Sequence, residues 1–417
     1  MPGVREIRAV SYFVLGAVLV LIGISVVYGF LGRPVLGHEP GGDFLQFYVA
    51  GKILNEHPHE LIYDVPLENR LQHRVRPTLG ADSMLVYANA PFAALPFRIL
   101  ARLPYIWAYI AWLGIVVALY IAGLRLVWPH GAGLDAHWKT ALLVSLSFVP
   151  FAVECCFSGQ LSTLGFFALA LSIWCQRKER PFVGGMALAL CAYKPTLLVL
   201  ALPMLLVGRR FRVLAGFAVG FAIATLASFA AVGRAGLMAY ARTLALYSHF
   251  TNGANSPLQT WKYVDIASFL RLLFGAGSQW AFAIALILAA APVAALALAW
   301  ARSKNRTGPA ADLLWAATIS WTLVFNTYVP VYDTSLAVLA MLLTVGALYR
   351  SALPKAKPGP ERGSDIHAFQ ALAIALYVGA WFTQIAALAI HVQIFTLLLA
   401  CAGWLQLRWS KRAGVSA

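Results

Sequence analysis

Phe182-Val183-Gly184-Gly185-Met186-Ala187-Leu188-Ala189-Leu190-Cys191-Ala192-Tyr193-Lys194-Pro195 runs apolar as far as Tyr193 and then stops at a lysine and a proline. Proline lacks a backbone donor and pushes the residue before it out of helix, so the segment 182–207 breaks at Lys194. The first half, 182–192, rises only about 17 Å at 1.5 Å per residue, which puts the break near the middle of a bilayer. The segment therefore reads as a hairpin of two half-length helices. Its flanks test that reading. Gln176-Arg-Lys-Glu-Arg-Pro181 and Gly208-Arg-Arg-Phe-Arg212 are both basic, and basic loops stay on the cytoplasmic side. Only a hairpin, or an even number of crossings, places both there.

Outward from the hairpin, the whole chain reads as a membrane protein. It is 61% hydrophobic and 12% charged over 417 residues, with a mean hydropathy of +0.74, whereas about 25% of the residues of a soluble domain are charged. Residues 9–31, 104–127, 212–232, 278–301, 368–388 and 391–409 each supply the roughly 20 apolar residues that cross a hydrocarbon core. Shorter candidates lie at 138–153, 160–175, 312–328 and 333–349. The fold expected is an all-α polytopic bundle of about 11–12 transmembrane helices. The first segment follows Arg5 and Arg8 as a signal peptide would, but its apolar run is longer than a signal h-region and no A-x-A-like site follows, so it reads as an uncleaved anchor.

With the hairpin fixed, the N-terminus, 125–139, 302–311, 350–366 and 408–412 fall on the cytoplasmic side and both termini lie inside. These pieces and the two hairpin flanks hold most of the chain's net charge of +16. Its basicity is thus topological, suited to orientation and to anionic headgroups. Nucleic-acid binding would need the positives gathered on one surface, and no nucleic-acid partner is expected.

Nothing divides residues 1–417 into separate domains; 353–364 is the single linker-like piece. On the opposite side, the loop 32–103 carries seven basic and seven acidic residues together with His38, His57, His59 and His73. Within it, Phe44–Leu54 and Met84–Leu100 are apolar enough for short helices along the membrane interface. A second outer loop, 233–277, contains Asn252-Gly-Ala-Asn-Ser-Pro257 and Trp261. The five cysteines, at 155, 156, 175, 191 and 401, show no disulfide or C-x-x-C pattern and read as small apolar packing residues.

Ionisable residues in or beside spans carry what information remains, because they are costly in a bilayer and face cavities or pathways. Asp43, Glu154, Gln160, Lys194 and Asp333 all fall toward the outer half. Each has a structural reading as well: Glu154 capping its span, Lys194 snorkelling, Asp333 starting the following helix. Their shared side favours a site. His57-Pro58-His59-Glu60 lacks the H-E-x-x-H ligand spacing, and no Walker A loop, G-x-G-x-x-G or Asp-x-Asp pair is present. No metal and no cofactor are expected. A transfer reaction on the outer face must draw its energy from a lipid-linked donor.

Gly42-Asp43-Phe44 through Tyr48-Val49-Ala50-Gly51, then Leu61-Ile62-Tyr63-Asp64, Tyr87-Ala88-Asn89-Ala90-Pro91-Phe92, Ser158-Gly159-Gln160-Leu161-Ser162, Ala192-Tyr193-Lys194-Pro195 and Tyr328-Val329-Pro330-Val331-Tyr332-Asp333 together resemble glycosyltransferase family 87. These are polyprenol-phosphate-mannose-dependent mannosyltransferases of the GT-C superfamily. The resemblance implies a GT-C bundle whose first outer loop covers an extracytoplasmic cavity, and inverting transfer with the first-loop aspartate, Asp43, as general base. Lys194, at the helix break, is the expected counter-charge for the leaving phosphate, with Gln160 and Tyr48 expected beside it at the donor, and Glu154, Tyr63, Tyr332 and Asp333 expected to line the cavity or meet the acceptor.

The expected partners are thus a polyprenyl-phosphate sugar, a lipid-linked or glycan acceptor, and membrane lipids. The expected place is the cell membrane, with the active site extracytoplasmic. The alternative reading is a transporter or flippase for a polyprenyl-linked saccharide, with the broken 182–207 hairpin lining its path.

Overall fold

The computed structural model describes residues 4–34, 40–80, 85–130, 134–252, 259–275, 278, 280–303, 307–352 and 360–415. His38, most of the Asn252–Pro257 stretch, the start of Met84–Leu100 and most of 353–364 lie outside them. Sixteen helices follow one another: α1 (Val4–Phe30), α2 (Phe44–Glu56), α3 (Val65–Val75), α4 (Leu95–Leu100), α5 (Tyr105–Val127), α6 (Trp138–Leu146), α7 (Ser162–Arg177), α8 (Pro181–Leu188), α9 (Ala201–Val207), α10 (Phe211–Asn252), α11 (Ile266–Phe274), α12 (Trp280–Arg302), α13 (Pro309–Val324), α14 (Leu336–Ala352), α15 (Pro360–Ile390) and α16 (Ile394–Val415). Short 3₁₀ turns and one π-helical stretch, Pro150–Phe157, join them. Among the described residues the only β-type pairing is an isolated bridge between Tyr263 and Pro330.

The protein is an all-α polytopic membrane protein. Among the described residues six helical stretches are long and apolar enough to cross a bilayer: Arg5–Phe30, Tyr105–Val127, Phe211–Leu246, Trp280–Arg302, Val331–Arg350 and Ser364–Ile390. A seventh forms if Asp135–Leu146 and Pro150–Phe157, bent by 56° at the break between them, count as one. Five of the six follow the long apolar segments of the sequence. The sixth, Val331–Arg350, is a short candidate lengthened by the turn that precedes it. Of residues 391–409, those from Ile394 on lie in α16, which is not among the six because Gln406, Arg408, Lys411 and Arg412 crowd its second half.

Residues 182–207 form the expected hairpin. Pro181–Tyr193 and Pro195–Val207 are separate short apolar helical pieces, and Lys194 between them has an extended backbone (φ −136°, ψ 86°). Both ends return to one face, since α8 crosses the start of α10 with almost no space between backbones. A Cβ on Gly185 would lie 1.9 Å from the Val213 carbonyl oxygen, and one on Gly216 equally close to that of Phe182. Small residues at a helix crossing let the backbones touch in this way.

Two departures from the sequence reading concern the outer loops. Residues 233–252 are not irregular: α10 runs on to Asn252 through a kink at Gly233, whose φ of 63° and ψ of −172° only glycine adopts easily. The helix expected at Phe44–Leu54 is present as α2, but most of it is buried in the protein, with Phe44, Leu45, Val49, Ala50 and Ile53 fully covered and only its C-terminal end, at Asn55 and Glu56, exposed. It is a core element under α4 and α5. Gly51 makes this possible, because a Cβ there would lie 2.2 Å from the Phe97 carbonyl oxygen. Gly51→Ala is therefore expected to lower stability by about 1–3 kcal/mol through overpacking, read as a drop in the thermal midpoint. An unchanged midpoint would show that α4 yields without strain.

Candidate functional site

The stripe Tyr105, Tyr109 and Trp112 on α5, spaced i, i+4, i+7 on one face, holds two turns together. Tyr105 donates its hydroxyl to the Pro40 carbonyl (2.7 Å), Tyr109 to Phe157 (2.6 Å), and the Trp112 indole donates to Gly159 (2.8 Å). The 40–44 and 157–160 turns then bond directly, Phe44 N donating to Ser158 O at 3.0 Å. Gly159 has φ +70°, and a Cβ on it would meet that of Phe44 at 2.7 Å. Phe44 itself sits inside a cluster of Tyr48, Phe97, Tyr105, Tyr109 and Trp112 rings.

This packing fixes Asp43 at the entrance to α2. Aspartates at that position commonly cap the helix, and Asp64 and Asp265 do so here, accepting from Leu67 N and Ser268 N. Asp43 makes no capping bond. Its carboxylate instead accepts from the side-chain amide of Gln160. Burial pushes the Asp43 carboxyl above its ordinary range, opposed by the Gln160 amide and by the charges of Lys262 and Lys194. A raised carboxyl is a more basic one, which suits proton abstraction.

Two residues beyond Gln160, Ser162 donates to Asp333 at 2.7 Å. The other oxygen of Asp333 pairs with the Lys194 ammonium at the hairpin break, which lies over the rings of Tyr328 (5.2 Å) and Tyr332 (5.0 Å). The single turn Ser158–Ser162 thus touches both carboxylates, one through Gln160 and one through Ser162. Asp333 is 1% exposed, with its two oxygens engaged by Ser162 and Lys194. Glu154, in the π-helical stretch, accepts from Gln384 at 3.3 Å and lies within electrostatic reach of Asp43 and Lys262.

The structure therefore gathers Asp43, Gln160, Lys194, Tyr332 and Asp333, with Glu154 at the margin. It leaves two tyrosines elsewhere. Tyr48 spends its hydroxyl on the Leu103 carbonyl (2.8 Å) and lines a separate groove of about 640 Å³ with Lys52, Arg98 and Arg102. Tyr63 spends its own on Asn89 O (2.7 Å) and stacks between Tyr87 and Tyr240.

Sequence reasoning missed Lys262, exposed and 5.0 Å over the Trp261 ring. The buried Asp265 fixes this segment against the Tyr328–Asp333 motif by accepting from Val329 N (3.2 Å), while Val264 N donates to Val329 O (2.9 Å). Among the described residues no three His, Cys, Asp or Glu side chains gather as a metal site requires.

Another buried acid supports the first-loop layer. Glu68 on α3 is 1% exposed, accepts from Tyr87 N at 3.0 Å, and leaves Oε1 without a partner. Burial, reinforced by the Asp64 charge and opposed by the Tyr87 bond, pushes its carboxyl up to about 8. The folded protein thus holds a proton that the unfolded chain releases near its ordinary value of 4.5. The resulting stability is complete below pH 4.5, declines by up to about 1.4 kcal/mol per pH unit, and is gone above pH 8. Glu68→Gln is expected to flatten that decline in thermal midpoints measured from pH 5 to 8. An unaltered slope would assign the pH dependence to other groups.

A family model for glycosyltransferase family 87 matches residues 87–326, more than half of the chain, and the chain belongs to that family. It is a multi-pass membrane glycosyltransferase. No curated protein and no solved structure matches it. Gln160 and Lys194 fall inside the matched region, and the Asp43 and Asp333 that they bind lie on either side of it.

Proposed function

We propose that the chain transfers one sugar, mannose by family resemblance, from a polyprenyl phosphate to a lipid-linked or cell-envelope acceptor, at the extracytoplasmic face and with inversion. The observation that carries this reading is the placement of Asp43. It is the one helix-entry aspartate of the three whose carboxylate is not used as a cap, and it lies within electrostatic reach of two lysines. In the reaction Asp43 takes the proton of the acceptor hydroxyl as that oxygen bonds to the anomeric carbon. The bond from the anomeric carbon to the phosphate oxygen breaks on the opposite side, and polyprenyl phosphate leaves with the electron pair. The leaving group is already an anion, so cations rather than a general acid are needed there. Lys194, oriented by Asp333, and Lys262 supply them. Gln160 fixes the Asp43 carboxylate, and Glu154 and Tyr332 line the approach. The basic loops support an extracytoplasmic site, since they gather at the mouth of the hairpin whose tip carries Lys194.

The test is transfer of radiolabel from synthetic polyprenyl-phosphate mannose to host lipid extract by purified protein, with and without EDTA. Labelled lipid product in both is expected. Label from no polyprenyl-phosphate sugar, with flux of intact lipid-linked saccharide across vesicles instead, would favour the transporter that the broken hairpin also allows.

A further inference from the structure

The mouth of the α8–α9 hairpin holds a second charged cavity, of about 600 Å³, remote from the site above. Thirteen residues of helix, Pro181–Tyr193, separate it from Lys194, about 20 Å at 1.5 Å per residue. Four arginines line it, Arg177, Arg209, Arg210 and Arg212, against the carboxylates of Glu179 and Asp312. Asp312 is already committed, accepting from Arg177 Nε at 2.9 Å and pairing with Arg350 on its other oxygen. With that commitment the cavity is net positive. Arg177 Nη2 is buried and has no partner.

The backbone adds to the same charge. α8, α10 and α13 begin at Pro181, Phe211 and Pro309, and their first turns line the cavity. First-turn amides lack intrahelical acceptors, and the helix dipole puts partial positive charge there. The turns that place these ends are strained. Glu179 (φ 57°) and Arg209 (φ 54°), both lining the cavity, occupy the left-handed region that favours glycine. Arg210 is kept in place over the Trp300 ring at 5.9 Å.

The surface that flanks these residues in the chain is apolar and exposed: Phe182 and Val183 at the start of α8, Leu206 and Val207 at the end of α9, and Phe211, which itself lines the cavity, are each at least 40% accessible. A free phosphate would gain nothing from them, whereas the acyl chains of a phospholipid would cover them.

We propose that this cavity binds the phosphate of an anionic phospholipid, held by the arginine forks and the three helix ends, with its chains along α8, α9 and α10. Arginine recognises phosphate bidentately, and basic pockets between helices at the cytoplasmic surface hold such headgroups. The site is separate from sugar transfer, and its test does not depend on the reaction.

The full chain would be purified in mild detergent and titrated with phosphatidylglycerol under native mass spectrometry, next to Arg209→Gln/Arg212→Gln and to Arg102→Gln as a basic control outside the cavity. Phosphatidylcholine and inorganic phosphate would be parallel ligands. One retained phosphatidylglycerol in wild type and in Arg102→Gln is expected, with at least tenfold weaker retention in the double variant, preference over phosphatidylcholine, and no displacement by an equal concentration of phosphate. Equal retention in wild type and double variant, or displacement by phosphate, would overturn the proposal.

Discussion

Asp43→Asn is expected to lower turnover by about 10²–10⁴-fold, the usual share of a positioned general base, while leaving the dissociation constant for the polyprenyl-phosphate donor within about threefold. The substitution is nearly isosteric and removes only the basic oxygen. Gln160 can still bond the amide after its own amide turns over, and the aromatic cluster that holds the turn is untouched. Stability should therefore change little. The wild-type pH profile carries a second part of this expectation. Because burial raises the Asp43 carboxyl, kcat/KM should fall on the acid side with an inflection above the ordinary aspartate value of 3.8. That limb should vanish from the residual activity of the asparagine variant. Full activity in the variant would remove Asp43 from the chemistry.

The second large effect concerns Lys194 and Asp333. Asp333→Asn would keep the Ser162 bond but leave the Lys194 ammonium, 14% exposed, without its counter-charge. Lys194→Met would strand a carboxylate that is 1% exposed. Removing one partner of a buried pair costs about 3–5 kcal/mol, whereas replacing both is often neutral. Each single variant should therefore unfold well below wild type, and Lys194→Met/Asp333→Asn should recover most of the loss. Activity should not recover, since the double variant keeps only Lys262 at the leaving phosphate, a deficit of about 10²-fold or more. The split between restored stability and absent turnover separates a catalytic lysine from one that only packs. A double variant that regained turnover would make the pair structural.

The elements that could be read from the sequence were those with a local physical cause. Lys194-Pro195 breaks a helix wherever it occurs, and the basic flanks at 177–180 and 209–212 require both ends of the segment on one side, so the hairpin followed. Long apolar runs gave the spans for the same reason. The residues gathered at the site were legible as a set, because acids, amides and lysines near spans are costly, but their pairing was not. Gln160 meets Asp43 and Ser162 meets Asp333 only because Tyr105, Tyr109 and Trp112 pin two distant turns through backbone carbonyls, and such bonds leave no mark in the pattern of side chains. The same limit explains Tyr48 and Tyr63, whose hydroxyls are taken by the carbonyls of Leu103 and Asn89. Lys262 was hidden because its segment is positioned by Asp265 and Val264 against a motif some 65 residues later. The passage of α10 through Gly233 was hidden because glycine more often ends a helix than kinks it.

The most direct measurement is a structure of Asp43→Asn with an intact polyprenyl-phosphate sugar bound. The account predicts the phosphate between Lys194 and Lys262, with the anomeric carbon facing residue 43 across a gap open to an acceptor. A phosphate in the groove of Lys52, Arg98 and Arg102 instead, with nothing bound near residue 43, would contradict it.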